Sequence, residues 1–406
     1  MIIDIFTSYG NMSKKKSTFI KVGMKESMEL NETITPRRRL NRSAIYRYLY
    51  HHKGFCSKQT IAQDLDLSLP TVYQNLTELM EAGLVDFSGE QRSTGGRRAN
   101  GLDIVADARI AIGISLTDVC IRIAAVDLRL HELCRSCIRF DGKYPDFHRI
   151  SDYIANELET FLNDNRIDRS KLLGVGIAMP AVFSPDKDYI VLAPTLHMQN
   201  VRLQSFEDAI PYPVYIQNDA NCAGLAEYFL RGEAEDRGLA YLSLQNGVGG
   251  AIISDGRLLR GDDLRGGEFG HICVEPDGRP CSCGKRGCLE AYCSPLRITD
   301  ETGVSLDKFF RDMGKGNREY YELWQDMLRH LATGINNINM VLDCDIVLGG
   351  TLSEYMEPWL PQLRRMVAGG NPFSSTGSFV QLSMIKSHSV SLGAAMHFIK
   401  KFTESV

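Results

Sequence analysis

No run in the 406-residue sequence reaches the roughly 18–20 consecutive apolar residues that a helix needs to cross a bilayer, so no membrane span is expected. The opening MIIDIFTSYGNMSKKK also lacks the order of a secretory signal, because its basic residues follow the apolar ones. A disulfide framework is missing too: the 11 cysteines are odd in number and, one cluster apart, widely scattered, which suits a reducing cytoplasm. Strong overall charge is absent, yet the net −4 hides an asymmetry. Residues 1–100 hold 15 Lys+Arg against 10 Asp+Glu, leaving 31 against 40 for the rest. A basic first part on an acidic body suggests that only the first part meets a polyanion. Hydrophobic content of 44% and charged content of 24% are ordinary for a soluble chain, and the length predicts more than one domain.

Residues 1–35 show no periodicity and read as a mobile tail. A domain over 36–102 follows. Ala44, Ile45, Tyr48 and Leu49 lie at helical spacing before a break at Lys53-Gly54. Ser57 can cap a second helix, SKQTIAQDLD, and Ser68 a third, LPTVYQNLTELMEAG, which turns Val72, Leu76 and Leu79 inward. Two short strands around a Gly/Arg-rich loop complete a winged helix-turn-helix. Its third helix would enter the major groove of DNA, offering Ser68, Thr71, Tyr73, Gln74 and Asn75. Asn and Gln suit adenine, whereas Thr and Tyr more often reach phosphate. Arg92, Arg97 and Arg98 would lie in the wing, with Arg37, Arg38, Arg39 and Arg42 beside or within the first helix.

From residue 103 to 406, strand-like runs (IAIGISL, CIRIAAVDL, KLLGVGIAMP, YPVYIQND, GLAYLSLQ, CDIVLGG) alternate with helical stretches. The pattern predicts an α/β body, with a suggestion of two halves dividing near residues 230–240. Within it, HICVEPDGRPCSCGKRGCLE at 271–290 clusters His271, Cys281, Cys283 and Cys288 among turn residues. One such cysteine would be unremarkable in a core. Three in eight polar, turn-rich residues need another partner, and four N/S donors on a tight loop suit tetrahedral zinc.

The stretch G-E-F-G-H…C-x-C-G-K-R-G-C-L-E resembles the zinc signature of the ROK family, whose members are repressors, open reading frames and sugar kinases. NDAN at 218–221, NGVGGAII at 246–253 and DIVLGG at 345–350 resemble its other signatures, in the family's order. The winged domain ahead resembles the repressor branch. The resemblance implies a two-lobed sugar kinase–actin-like fold, assembled as homodimers or homotetramers. It places sugar contacts on Asn218, Asp219, Glu268, His271 and Glu290, with Asp219 where the kinases keep their catalytic base. It also makes the zinc structural, a closed four-ligand site that aims His271, Glu268 and Glu290.

This sequence departs from the family at Ala181, usually glycine, and at Thr195, often asparagine. The kinases' Asp-x-Gly-Gly-Thr turn, which serves ATP phosphates and metal, is replaced by Gly113-Ile114-Ser115-Leu116-Thr117-Asp118-Val119. With Ser115 in the aspartate's place and no glycine pair behind it, phosphoryl transfer is not expected. The sequence thus points to a cytoplasmic, sugar-responsive regulator, most simply a repressor of carbohydrate-utilisation genes. Its partners would be operator DNA and a sugar or sugar-phosphate effector. A retained sugar kinase, or a repressor relieved by a protein partner, is the alternative.

Overall fold

The computed structural model describes residues 36–52, 56–90, 100–140, 149–232, 238–385 and 389–406. The expected tail at 1–35 and wing arginines Arg92, Arg97 and Arg98 lie outside these residues. The chain forms two compact units. One comprises residues up to Ile177, Leu203–Ile216 and Ala394–Val406, and the other Ala178–Arg202 and Gln217–Gly393. The chain therefore passes between them at 177/178, 202/203, 216/217 and 393/394 instead of dividing once near 230–240, with strands at the first and third of these points and the last helix at the fourth.

The first unit opens with helices α1 (Pro36–His51), α2 (Lys58–Asp64) and α3 (Leu69–Glu81) and the strand pair β1 (Val85–Glu90) and β2 (Asn100–Ile104). Ser57 Oγ accepts from Thr60 N and Ser68 Oγ from Thr71 N, so each serine satisfies an otherwise orphaned amide at a helix start. Ile45, Tyr46, Leu49, Ile61, Val72, Leu76 and Leu79 are buried and make the small core. A five-stranded sheet follows, in the order β10-β6-β3-β4-β5. Its strands are β3 (Ile110–Leu116), β4 (Cys120–Asp127), β5 (Glu132–Arg139), β6 (Leu172–Met179) and β10 (Val214–Asn218), accompanied by α4 (Ile150–Asp164).

The helix-turn-helix is fastened to this unit. Arg129, after β4, donates to the Tyr50 carbonyl at 3.1 Å and pairs with Asp103. The final helix, α12 (Ser389–Ser405), sets Phe402 edge-on to Tyr46, and Val406 O accepts from Arg42 Nε at 3.0 Å. Arg42, expected on a DNA-facing basic surface, is thus buried, and Arg38 pairs with Glu78 of α3.

The second unit is built on a sheet in the order β13-β12-β11-β14-β15. Its strands are β11 (Leu239–Leu244), β12 (Val248–Ser254), β13 (Arg257–Leu258), β14 (Asp345–Gly349) and β15 (Val380–Leu382). All six residues of β11 are buried, because both faces of the sheet are covered. Ala240, Leu242 and Leu244 meet a core with Trp324, Leu328, Leu331 and Ile335 of α10 (Arg318–Leu342). Leu239 and Tyr241 alternate to the other face, beside Ala223 and Tyr228 of α6 (Asp219–Leu230). A smaller meander of β7 (Val182–Phe183), β8 (Tyr189–Ala193) and β9 (Met198–Arg202) belongs to this unit as well.

Candidate functional site

The junction from β10 to α6 carries Asn218 and Asp219. Asn218 caps the helix: its Oδ1 accepts from Asn221 N at 3.1 Å, while its Nδ2 donates to Ala181 O at 3.3 Å. Asp219, in the first turn, accepts from Ala220 N at 2.9 Å through Oδ1. Burial pushes its carboxyl up to about 6; backbone amides oppose the rise and Glu268 adds to it. A pocket opens here, contained within the second unit. Asn218, Asp219 and Asn221 line it together with Glu268, Lys187 and Arg260. The Glu268 carboxyl is also raised, by burial first and by Glu290 in addition, with His271 and Arg265 opposing. Among the expected sugar contacts, the structure therefore brings Asn218, Asp219 and Glu268 to one pocket. His271 and Glu290 do not line it; they sit on the adjoining cysteine loop.

That loop gathers His271, Cys281, Cys283 and Cys288 with one donor atom each, all within 4.8 Å of one another. Cys283 Sγ and Cys288 Sγ are 3.8 Å apart, as are Cys281 Sγ and His271 Nδ1. Sulfurs at about 2.3 Å from a tetrahedral ion would stand about 3.8 Å apart, so the donor set fits a four-coordinate metal. Backbone hydrogen bonds within the loop help to gather them. Cys281 N donates to Lys285 O and Gly284 N to Cys281 O, closing the turn, while Leu289 N reaches back to Ile272 O. Cys288 precedes α7 (Leu289–Cys293) directly.

Glu290, on α7, ties this loop to the sheet. Its Oε1 accepts from Ser282 Oγ at 2.8 Å and its Oε2 from Val248 N at 3.1 Å. A Cβ on Gly247 would lie 2.6 Å from Glu290 Oε2, and one on Gly250 2.3 Å from the Phe269 ring. Both glycines thus permit close packing of the sheet against the loop, and Gly249 and Gly250 sit inside β12, paired with Ser243 and Leu242.

The ROK family profile matches residues 118–400, more than half of the chain. The chain belongs to the ROK family. It is 28% identical over 354 residues to a putative xylose repressor of Caldicellulosiruptor sp. (strain Rt8B.4), covering 81% of this chain and 88% of the relative. It is 27% identical over 353 residues to the DNA-binding transcriptional dual regulator NagC of Escherichia coli (strain K12), covering 81% and 85%. Among solved structures it resembles a ROK family transcriptional regulator, a homolog of the E. coli MLC protein, with a TM-score of 0.73 and 21% identity, over 91% of this chain and 97% of that one. A ROK glucokinase from Streptomyces griseus, in complex with glucose and AMPPNP, aligns with a TM-score of 0.60 and 22% identity, over 71% of this chain and 98% of that one.

Two further regions of this ROK chain bear on function. The turn after β3 is closed by Thr117. Its Oγ1 accepts from Cys120 N at 3.1 Å and Val119 N at 3.4 Å, and Ser115 is buried within β3. On α3, Tyr73 and Gln74 are exposed, Tyr73 with Lys58 Nζ 4.0 Å from its ring centroid, while Ser68 and Thr71 bond one another at the cap. Asn75 differs from expectation: it is buried, and its Nδ2 donates to Thr71 O at 2.8 Å. The 3.6-residue period turns position 75 towards Val72, Leu76 and Leu79. Lys187 and Arg260 escaped the sequence reading, since a hairpin tip and an irregular loop supply them and no motif spacing marks them; Asn221 lies within the NDAN signature, which named only Asn218 and Asp219 as contacts.

Proposed function

We propose that this chain is a sugar-responsive, DNA-binding transcriptional regulator, most simply a repressor of carbohydrate-utilisation genes, without kinase activity. The observation that carries the reading is the helix-turn-helix fold ahead of the ROK region. It accompanies the 91% coverage by a regulator's structure, where a kinase aligns to only 71%. Tyr73 and Gln74 would meet base edges and Ser68 and Thr71 the phosphates, with Arg92, Arg97 and Arg98 supplying further phosphate contacts. A homodimer or homotetramer would present two such helices to a palindrome.

In the pocket, Asp219 and Glu268 would accept hydrogen bonds from sugar hydroxyls, and Asn218 would support Asp219. His271, Cys281, Cys283 and Cys288 would hold a zinc ion, whose four protein ligands leave no open position, so its contribution is structural. Glu290 would transmit the loop's position to β12. A sugar then shifts DNA affinity only by binding the DNA-competent and incompetent states unequally, typically by about 5–150-fold. The kinase alternative has Asp219 in its favour, placed and raised as a general base would be. The Thr117 closure and Ser115 argue against it.

Rounds of selection from random-sequence DNA by the full-length protein should enrich a palindrome, and Gln74→Ala should change the enriched sequence. A pool without consensus would overturn the reading. Sugar-dependent ADP release from ATP and magnesium, lost in Asp219→Asn, would establish the kinase instead.

A further inference from the structure

The cysteine loop holds a fourth thiol that its donor set leaves out. Cys273 is exposed, whereas Cys288 is only 3% exposed, and both are free thiols. The two stand opposite one another in an antiparallel bridge. Val274 N donates to Gly287 O at 2.8 Å and Leu289 N to Ile272 O at 2.9 Å. These bonds flank the pair, which is therefore of the non-hydrogen-bonded kind. Residues in such a pair project to one face, with Cα atoms about 4.5 Å apart. A disulfide spans Cα separations of about 4.4–6.8 Å, so the register admits one.

The Cys273 sulfur supplies a second observation. A Cβ added to Gly287 would lie 3.3 Å from Cys273 Sγ and 1.9 Å from Glu275 O. Glycine, with φ +78°, is what lets the two segments close on one another here. The Cys273 sulfur thus rests against the residue that precedes Cys288. Cys288 Sγ, 3.8 Å from Cys283 Sγ, belongs to the four-donor cluster. An accessible thiol therefore borders a buried metal-donor thiol. Access for an oxidant and a second thiol within reach are the two features of an oxidant-sensing cysteine.

We infer that Cys273 is a modification site for hydroperoxides, resolved by Cys288. With hydrogen peroxide, the Cys273 sulfur takes one oxygen as the O–O bond breaks, giving a sulfenic acid and water. Cys288 sulfur then attacks that sulfur. The S–O bond breaks, an S–S bond forms, and the hydroxide leaves as water with the Cys288 proton. Two thiols lose two electrons in all, and the peroxide is reduced to water. The bridge withdraws Cys288 from the donor set. The pairing rests on the backbone register, and only this last consequence rests on the metal-site reading above.

The test treats the full-length protein, its zinc content measured beforehand, with hydrogen peroxide and maps disulfides after free thiols are blocked. A protease that cuts before aspartate separates residues 263–276, holding Cys273, from 277–299, holding Cys281, Cys283, Cys288 and Cys293. A cross-link between these fragments, located at Cys273 and Cys288 by fragmentation, is expected. A chromogenic zinc indicator should report release in step with the bridge, and reduction followed by added zinc should reverse both. Cys273→Ser should keep the parent's zinc content and Tm, and should lose the cross-link and most of the release.

Zinc released as fast from Cys273→Ser as from the parent, with bridges confined to 277–299, would overturn the inference. A Cys273 that stays free, or is oxidised without pairing, would overturn it too. A parent protein without zinc would sink the metal-site reading, and the fragment map would still decide this one.

Discussion

Burial at the start of α6 raises the Asp219 carboxyl to about 6, above an ordinary carboxylate, so folding favours its protonated form. The sign follows directly. The folded state pays for the ionised group as pH rises from about 4 to about 6, and the whole penalty is present above that range. Asp219→Asn keeps an oxygen for the Ala220 amide and removes the charge. It should raise the Tm at pH 7.5 by an amount worth at most about 3 kcal/mol, less for the solvent reaching the pocket, and the gain should vanish towards pH 4. Thermal unfolding at the two pH values measures it, and a gain independent of pH would refute the account. On α3, neighbouring residues separate reading from folding. Gln74→Ala should shift DNA sequence preference with little effect on Tm. Asn75→Ala, which strips a buried bond to Thr71 O, should cost about 1 kcal/mol of stability and leave preference unchanged. By its polar side chain Asn75 reads as a base contact, but its helical position sets it on the buried stripe with Val72, Leu76 and Leu79.

Elements whose chemistry is local were the legible ones. The serine caps of α2 and α3, the mostly apolar, fully buried β11 and the cysteine loop are specified by residues a few positions apart, and the structure forms each of them. The β7–β9 meander and the hairpin that carries Lys187 were not, since their pairing depends on distant partners. For the cysteine loop, one zinc ion per chain is expected by elemental analysis. Stripping it with a chelator should loosen both the turn and the Glu290 tether. A loss of about 3 kcal/mol would lower Tm by roughly 6–12 °C, and added zinc should restore it. Cys283→Ser should reproduce the loss and resist rescue. An unchanged Tm after complete metal removal would show that the loop's hydrogen bonds suffice alone.

At the scale of the whole molecule, family signatures made the ROK region recognisable, while the position of the division between units was hidden. A strand that passes from one unit to the other reads as one apolar run, and nothing in the run marks the crossing. Also hidden was the fastening of the helix-turn-helix. Arg129 grips the end of α1 and Asp103, Arg42 meets Val406, and Tyr46 meets Phe402, all across long stretches of sequence. A reading head bolted at three points has no swivel. In an assembly paired through that same unit, the distance between two heads would be set by the protein, which would become a ruler for its DNA. Inserting about 5 base pairs between half-sites, half of a 10–10.5 base-pair turn, would put the second half-site on the wrong side of the helix and should abolish paired binding, whereas 10 should restore register only if the ruler can stretch.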